Sequence, residues 1–134
     1  MGIRSLKTKG PAFGRMTAAQ YHGAAREADI QVGICEYLKL RAIPFCVTDA
    51  AFVVSDGKIA GRQVLVDGWP DLIAVLSGGR MLAIETKSRG GKLRPAQVKV
   101  LGNLAAAGAA VMVPQSVAEF IDALASIERT ETSQ

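Results

Sequence analysis

The sequence predicts a mixed α/β domain with a central β-sheet flanked by helices. Three observations predict it. The 134 residues are nearly half apolar, enough for one core without staples. Helical spacing of apolar residues near both ends brackets short apolar runs punctuated by Gly and Pro. The order reads helix, antiparallel strands, helix, strand, helix, which closes as one layered sheet-and-helix unit.

Residues 1–16 read as a flexible basic arm, with Gly10, Pro11 and Gly14 breaking any regular structure. Thr17-Ala18-Ala19-Gln20 is a capping-box pattern that opens a helix to about Leu40, weakened and divisible at Gly23 and Gly33. Pro44 ends that region. Phe45–Thr48 and Phe52–Val54 read as short strands, Asp56-Gly57 as a hairpin turn and Gln63–Val66 as a further strand. Asp71–Leu76 and Met81–Thr86 are apolar strands joined by a tight Gly78-Gly79 turn. A Gly- and Lys/Arg-rich loop, Ser88–Arg94, comes next. Pro95 suits the first position of a helix that runs to about Ala107 and stops at Gly108. Ala109–Val113 reads as a buried strand, Val117–Ile127 as a last helix, and residues 128–134 as a polar tail. Residues 17–127 therefore form a single domain, with no internal repeat.

The first helix carries an acid in an unexpected place. At about 100° per residue, Ile30, Ile34, Tyr37 and Leu38 form one apolar stripe. Glu27 falls in the middle of it, one turn before Ile30 and Gln31, while Asp29 and Glu36 fall opposite. A carboxylate aimed at a core needs a partner, a proton or a cation. A helix frayed at Gly23 would instead leave Glu27 exposed near its start, where an acid is ordinary.

The two strands of the Gly78-Gly79 hairpin bring Asp71 beside the Glu85–Lys87 end. Register decides whether the two acids meet. A four-residue turn pairs Asp71 with Thr86 and puts Asp71 and Glu85 on opposite faces. A three- or five-residue turn, or a bulge, puts them on one face. The sequence predicts an odd loop, a bulge or a bend at Pro70. Paired carboxylates with no His or Cys nearby suit Mg²⁺ or Mn²⁺, and such a site can hydrolyse a phosphodiester. The plain alternatives are a Glu85–Lys87 salt bridge at a strand end and an Asp71 that caps its own turn.

Charge points the same way. Net charge is +4, and residues 80–99 carry Arg80, Lys87, Arg89, Lys92, Arg94 and Lys99 against the single acid Glu85. With Arg4, Lys7, Lys9 and Arg15 on the arm, this suggests a polyanionic partner or a solvated basic face. A single histidine, His22, argues against His-based metal or nucleophile sites. Cys35 and Cys46 read as reduced core thiols. No apolar run spans a membrane and no secretory signal is visible, so a cytoplasmic protein is expected.

Pro70-Asp71, Glu85-Thr86-Lys87, Gly90–Gln97 ("GGKLRPAQ") and the helix after them resemble, in order, the PD-(D/E)XK nuclease superfamily. The likeness covers roughly residues 24–125 and is closest to stand-alone VRR-NUC domains of phages and prophages, which resemble Holliday-junction resolvases. The resemblance implies a restriction-endonuclease-like core. It implies Asp71, Glu85 and the Thr86 carbonyl as ligands of Mg²⁺ or Mn²⁺, with Glu27 as the acid that resolvases carry on their first helix. It implies Lys87 as the catalytic lysine and Gln97 as a residue that orients water or phosphate. Arg62, Arg89, Lys92, Arg94 and Lys99 become candidate DNA contacts. The implied activity is a metal-dependent, structure-specific DNA endonuclease, acting as a homodimer on branched DNA such as four-way junctions. The alternatives are a flap, nicking or restriction-type nuclease, or a non-catalytic nucleic-acid-binding module on the same fold.

Overall fold

The computed structural model describes residues 18–48, 52–55, 58–62 and 66–133, with side chains over 26–48 and 66–133. Helix α1 spans Ala18–Leu40, β1 Phe45–Val47, β2 Phe52–Ser55, β3 Lys58–Arg62, β4 Leu72–Val75 and β5 Met81–Ile84. Helix α2 spans Pro95–Ala106, β6 Ala110–Met112 and α3 Val117–Thr132. Four strands form a mixed sheet in the order β1-β4-β5-β6, and β2 pairs with β3 in a separate ribbon. β4 runs antiparallel to β1 and β5, and β6 runs parallel to β5 after the α2 crossover. The expected α/β class and element order are present.

Alternation along the strands sorts the sheet into two faces. Leu72, Ala74 and Leu76, with Leu82 and Ile84, turn to one side and pack with Ala110, Met112, Ile34, Leu38, Phe120 and Leu124. This is the core between the sheet and the α1–α3 layer. Tyr37 meets Phe120 edge-on at 6.0 Å between centroids, so the stripe on α1 is filled as its spacing predicts. Ala83 and Glu85 turn to the other side, where α2 supplies Gln97. No helix among the described residues is long and apolar enough to cross a membrane.

Several expectations are corrected. Helix α1 is continuous through Gly33. A Cβ at that position would lie 2.5 Å from a Val117 methyl, so Gly33 brings α1 close to the start of α3 rather than dividing the helix. Helix α3 continues past Ile127 to Thr132. Its last turns are tied down by Glu128 on Arg41 at 2.8 Å and Glu131 on Arg80 at 3.1 Å. Cys46 is exposed on the edge strand rather than in the core, while Cys35 is half-buried and packs against the core. The further strand expected at Gln63–Val66 falls largely outside the described residues. β3 lies just before it, and Val66 is not in a strand. The arm, Thr17, the Asp56-Gly57 turn and the His22 side chain also lie outside the described residues.

Two helices end in the same motif with different residues. After α2, the Ala109 N–H bonds to the Leu104 carbonyl and the Gly108 N–H to that of Ala105, with Gly108 at φ 106°. After α1, the Ile43 N–H bonds to Leu38 and the Ala42 N–H to Lys39, but the left-handed residue is Ala42, at φ 54°. An L-residue there costs about 1–2 kcal/mol. The extra chain entropy of glycine in the unfolded state offsets roughly half of the relief. Ala42→Gly is therefore expected to stabilise the domain by about 0.5–1 kcal/mol. A denaturant midpoint that stays put or falls would contradict it.

Candidate active site

The hairpin register is the odd one. β4 and β5 pair Val75 with Met81 and Leu72 with Ile84, and the Leu76 N–H bonds to the Arg80 carbonyl at 2.9 Å. Ser77–Gly79 form a one-turn 3₁₀ segment between them, a three-residue loop. Continued by one pair, the register sets Asp71 opposite Glu85 on the same face.

Pro70 then ends the ladder in a particular way. Leu76 and Arg80 are a hydrogen-bonded pair, so every second pair along the ribbon repeats the pattern, down to Leu72–Ile84 and next to Pro70–Thr86. Pro70 has no N–H to give. The Thr86 carbonyl thus lacks its ladder donor, and the Thr86 N–H goes to Asp71 Oδ2 at 2.9 Å instead. The Thr86 hydroxyl donates to the same oxygen at 2.8 Å. The Pro70 carbonyl is taken by the Thr48 hydroxyl, and the Asp71 carbonyl by the Thr48 N–H at 3.0 Å. One proline converts a sheet edge into a small polar junction.

Glu85 is held from the other direction. Its Oε2 accepts the Asp71 N–H at 3.2 Å and its Oε1 accepts Gln97 Nε2 at 2.7 Å. Gln97 Oε1 in turn accepts the Arg94 N–H at 2.8 Å, at the start of α2. Both contacts fix which end of the amide is which. Lys87 Nζ lies 3.7 Å from Glu85 Oε1. Glu85, Thr86 and Gln97 are all buried, whereas Asp71 and Lys87 are partly open. Burial raises the Glu85 carboxyl most, the Asp71 carboxylate adds to it, and Glu27 contributes a smaller push. Lys87 and the Asp71 N–H oppose them, and the carboxyl stands at about 7 instead of 4.5.

The structure therefore brings together Asp71, Glu85, Thr86, Lys87 and Gln97. Glu27 stands beside them, not among them. It is half-buried on α1 and accepts the Ser88 N–H at 3.2 Å, just past Lys87. Among the described residues no three His, Cys, Asp or Glu side chains gather closely enough to hold a metal by themselves. Gln31 is half-buried one turn beyond Glu27. Arg89, Lys92, Arg94 and Lys99 lie on the loop and first turns of α2 beyond the site, and all four are exposed. Arg94 is paired with Asp67 at 3.3 Å, and the Arg62 side chain lies outside the described residues.

Sequence reasoning misses two contributors to the site. The Thr86 hydroxyl is one, because the pattern of residues marks only the carbonyl at that position as a ligand. Gly68 is the other. It reads as a loop residue, yet it is buried at φ 87° in the turn closed by the Trp69 N–H on the Val66 carbonyl. A Cβ there would fall 2.3 Å from the Ala96 carbonyl oxygen and 2.7 Å from the Gln97 nitrogen. The backbone before Asp71 thus rests directly on the first turn of the helix that carries Gln97. The proximity of Gly68 and Pro70 to Asp71 in "GWPD" is the available signal.

A cavity among the described residues lies elsewhere. It measures about 620 Å³ and sits at the opposite end of the sheet, around Arg41, Pro44, Leu76, Gly78 and Glu128. Of the two carboxylates, Asp71 is partly open and Glu85 is buried. The VRR-NUC domain family model matches residues 32–118, a span that includes Asp71, Glu85, Lys87 and Gln97 and leaves out Glu27. No curated protein and no solved structure matches the chain.

A carboxyl raised from 4.5 to about 7 keeps its proton in the folded state after the unfolded chain has lost it. Stability without metal should then fall as pH rises through that window, by at most about 1.4 kcal/mol per pH unit, and level off above it. Thermal melts in chelator from about pH 5 to pH 8 should show the fall, and Glu85→Gln should flatten it. An equal slope in both proteins would reject the assignment. Gly68→Ala should cost about 2 kcal/mol or more, from a strained φ and a displaced α2. Wild-type stability in that variant would show the contact to be relaxed.

Proposed function

The chain belongs to the VRR-NUC domain family of the PD-(D/E)XK nuclease superfamily, and from that premise we propose that it is a divalent-metal-dependent endonuclease that cuts branched DNA such as four-way junctions. The observation that carries the metal is the donor set. Asp71 and Glu85 are two hard oxygen ligands interlocked side by side. The Thr86 carbonyl beside them is stripped of its ladder donor by Pro70. The residues fit Mg²⁺ or Mn²⁺, which would be held by Asp71, Glu85 and the Thr86 carbonyl, with Glu27 adding charge from α1. When bound, such an ion polarises the phosphate and lowers the pKa of a coordinated water.

The remaining work falls to the chain. Lys87 lies 3.7 Å from Glu85 and is partly open to a substrate. We assign it to the attacking water and to the charge that grows on the phosphate oxygens. Gln97 locks Glu85 in orientation and commits its carbonyl to the helix start, which leaves one N–H for water or phosphate. Arg89, Lys92, Arg94 and Lys99 lie just beyond the site and suit contacts to phosphates rather than bases. A four-way junction presents two opposed strands, so a homodimer with two-fold symmetry is the matching assembly. We place the protein in the cytoplasm, where such DNA is met.

The test is cleavage of labelled four-way junctions, flaps and linear duplex side by side, with Mg²⁺, Mn²⁺ or chelator. Junction cutting should require the metal and fall roughly 10²–10⁴-fold in Lys87→Ala. Tight junction binding with no cutting under either metal would leave a binding module instead.

A further inference from the structure

We propose that the Thr86 hydroxyl is a positioning group for Asp71, fixing which carboxylate oxygen is presented to a divalent cation. The proposal rests on the metal-dependent reading above and adds to it a side chain which that reading does not use. Thr86 is 1% exposed, so its hydroxyl has no solvent to bond to and must find a protein acceptor. It finds Asp71 Oδ2 at 2.8 Å, the same oxygen that accepts the Thr86 N–H at 2.9 Å.

Both donors therefore converge on one oxygen. The terminal torsion of an aspartate is soft and roughly two-fold, so a single N–H would act as a hinge about which the carboxylate could turn. A second donor from the same residue, on the same oxygen, removes that freedom. Oδ1 accepts no hydrogen bond among the described residues and is left as the oxygen available to a ligand. Charge-assisted bonds of this kind are among the stronger ones. They are made by a side chain whose β-branched carbon also suits the buried strand end.

Isosteric replacement separates the hydroxyl from the packing. Thr86→Val keeps the shape and the N–H bond but loses the second donor. Thr86→Ser keeps the donor but loses a buried methyl. Calorimetric titration of the full chain with Mn²⁺ reads the difference without any nuclease assay. Thr86→Val should weaken Mn²⁺ binding roughly 10-fold or more. Thr86→Ser should bind close to wild type even though loss of the methyl lowers its melting temperature. Affinity and stability would then move in different variants, which a purely structural role does not allow. Equal Mn²⁺ affinity in wild type and Thr86→Val overturns the proposal, and so does an equal loss in Thr86→Ser. A wild-type protein that binds no Mn²⁺ would overturn the metal reading itself, an outcome distinct from the other two.

Discussion

The register of one hairpin sets everything else at the site. Three residues, Ser77–Gly79, separate Leu76 from Arg80. Because strand side chains alternate, that odd number puts Asp71 and Glu85 on the same face. One residue more or fewer would send one carboxylate into the α1–α3 core and leave the other alone at the sheet end. Slipping β4 in that way would also turn the row of Leu72, Ala74 and Leu76 away from Phe120 and Leu124. The apolar pattern and the polar pair therefore select the same register. The cost of exposing that apolar row on the wrong face is what holds the two acids in place.

Bringing like charges together is unfavourable, and the surroundings are arranged around that fact. The burial that raises the Glu85 carboxyl to about 7 is the same burial that locks it in position. Each acid accepts a backbone N–H from the end of the opposing strand, Asp71 from Thr86 and Glu85 from Asp71. The Thr86 bond is made where the ladder ends. Had residue 70 carried an N–H, the Thr86 carbonyl could have accepted it. The proline thus leaves that carbonyl without its ladder donor, beside the two acids.

Much of this is legible in the sequence. Asp71, Glu85 and Lys87 stand out because apolar strands rarely end in clustered charge, and the helical stripe marks Glu27 as misplaced on its face. The need for an odd loop comes from parity alone. Features that depend on three-dimensional approach are not legible. The separation between Glu27 and the other two acids is set by how α1 lies on the sheet, and its bond to the Ser88 N–H is non-local. Gly33 reads as a weak point because helix propensity counts only the backbone, whereas its role is the space it leaves for Val117. Cys46 reads as buried because its neighbours are apolar, yet it lies exposed on an edge strand, outside the main core. The end of α3 reads as a polar tail because Glu128 and Glu131 are charged. Their partners Arg41 and Arg80 are distant in sequence.

The coupling between the sheet end and α2 explains why the site is rigid. An exposed carboxylate pair on a loop would sample many orientations, and order would have to come from the ligand. Here Glu85 is clamped by Gln97, and Gln97 is clamped by the first amide of its own helix. That helix start is in turn braced against Gly68, just ahead of Asp71 in the chain. The braces form a closed circuit: Asp71 to Glu85, Glu85 to Gln97, the Gln97 backbone to Gly68, and Gly68 along the chain back to Asp71. A closed circuit of short links resists shear in a way that separate contacts do not, because moving any one member strains all the others. The carboxylates are then held to a fixed geometry, Glu85 buried and Asp71 partly open.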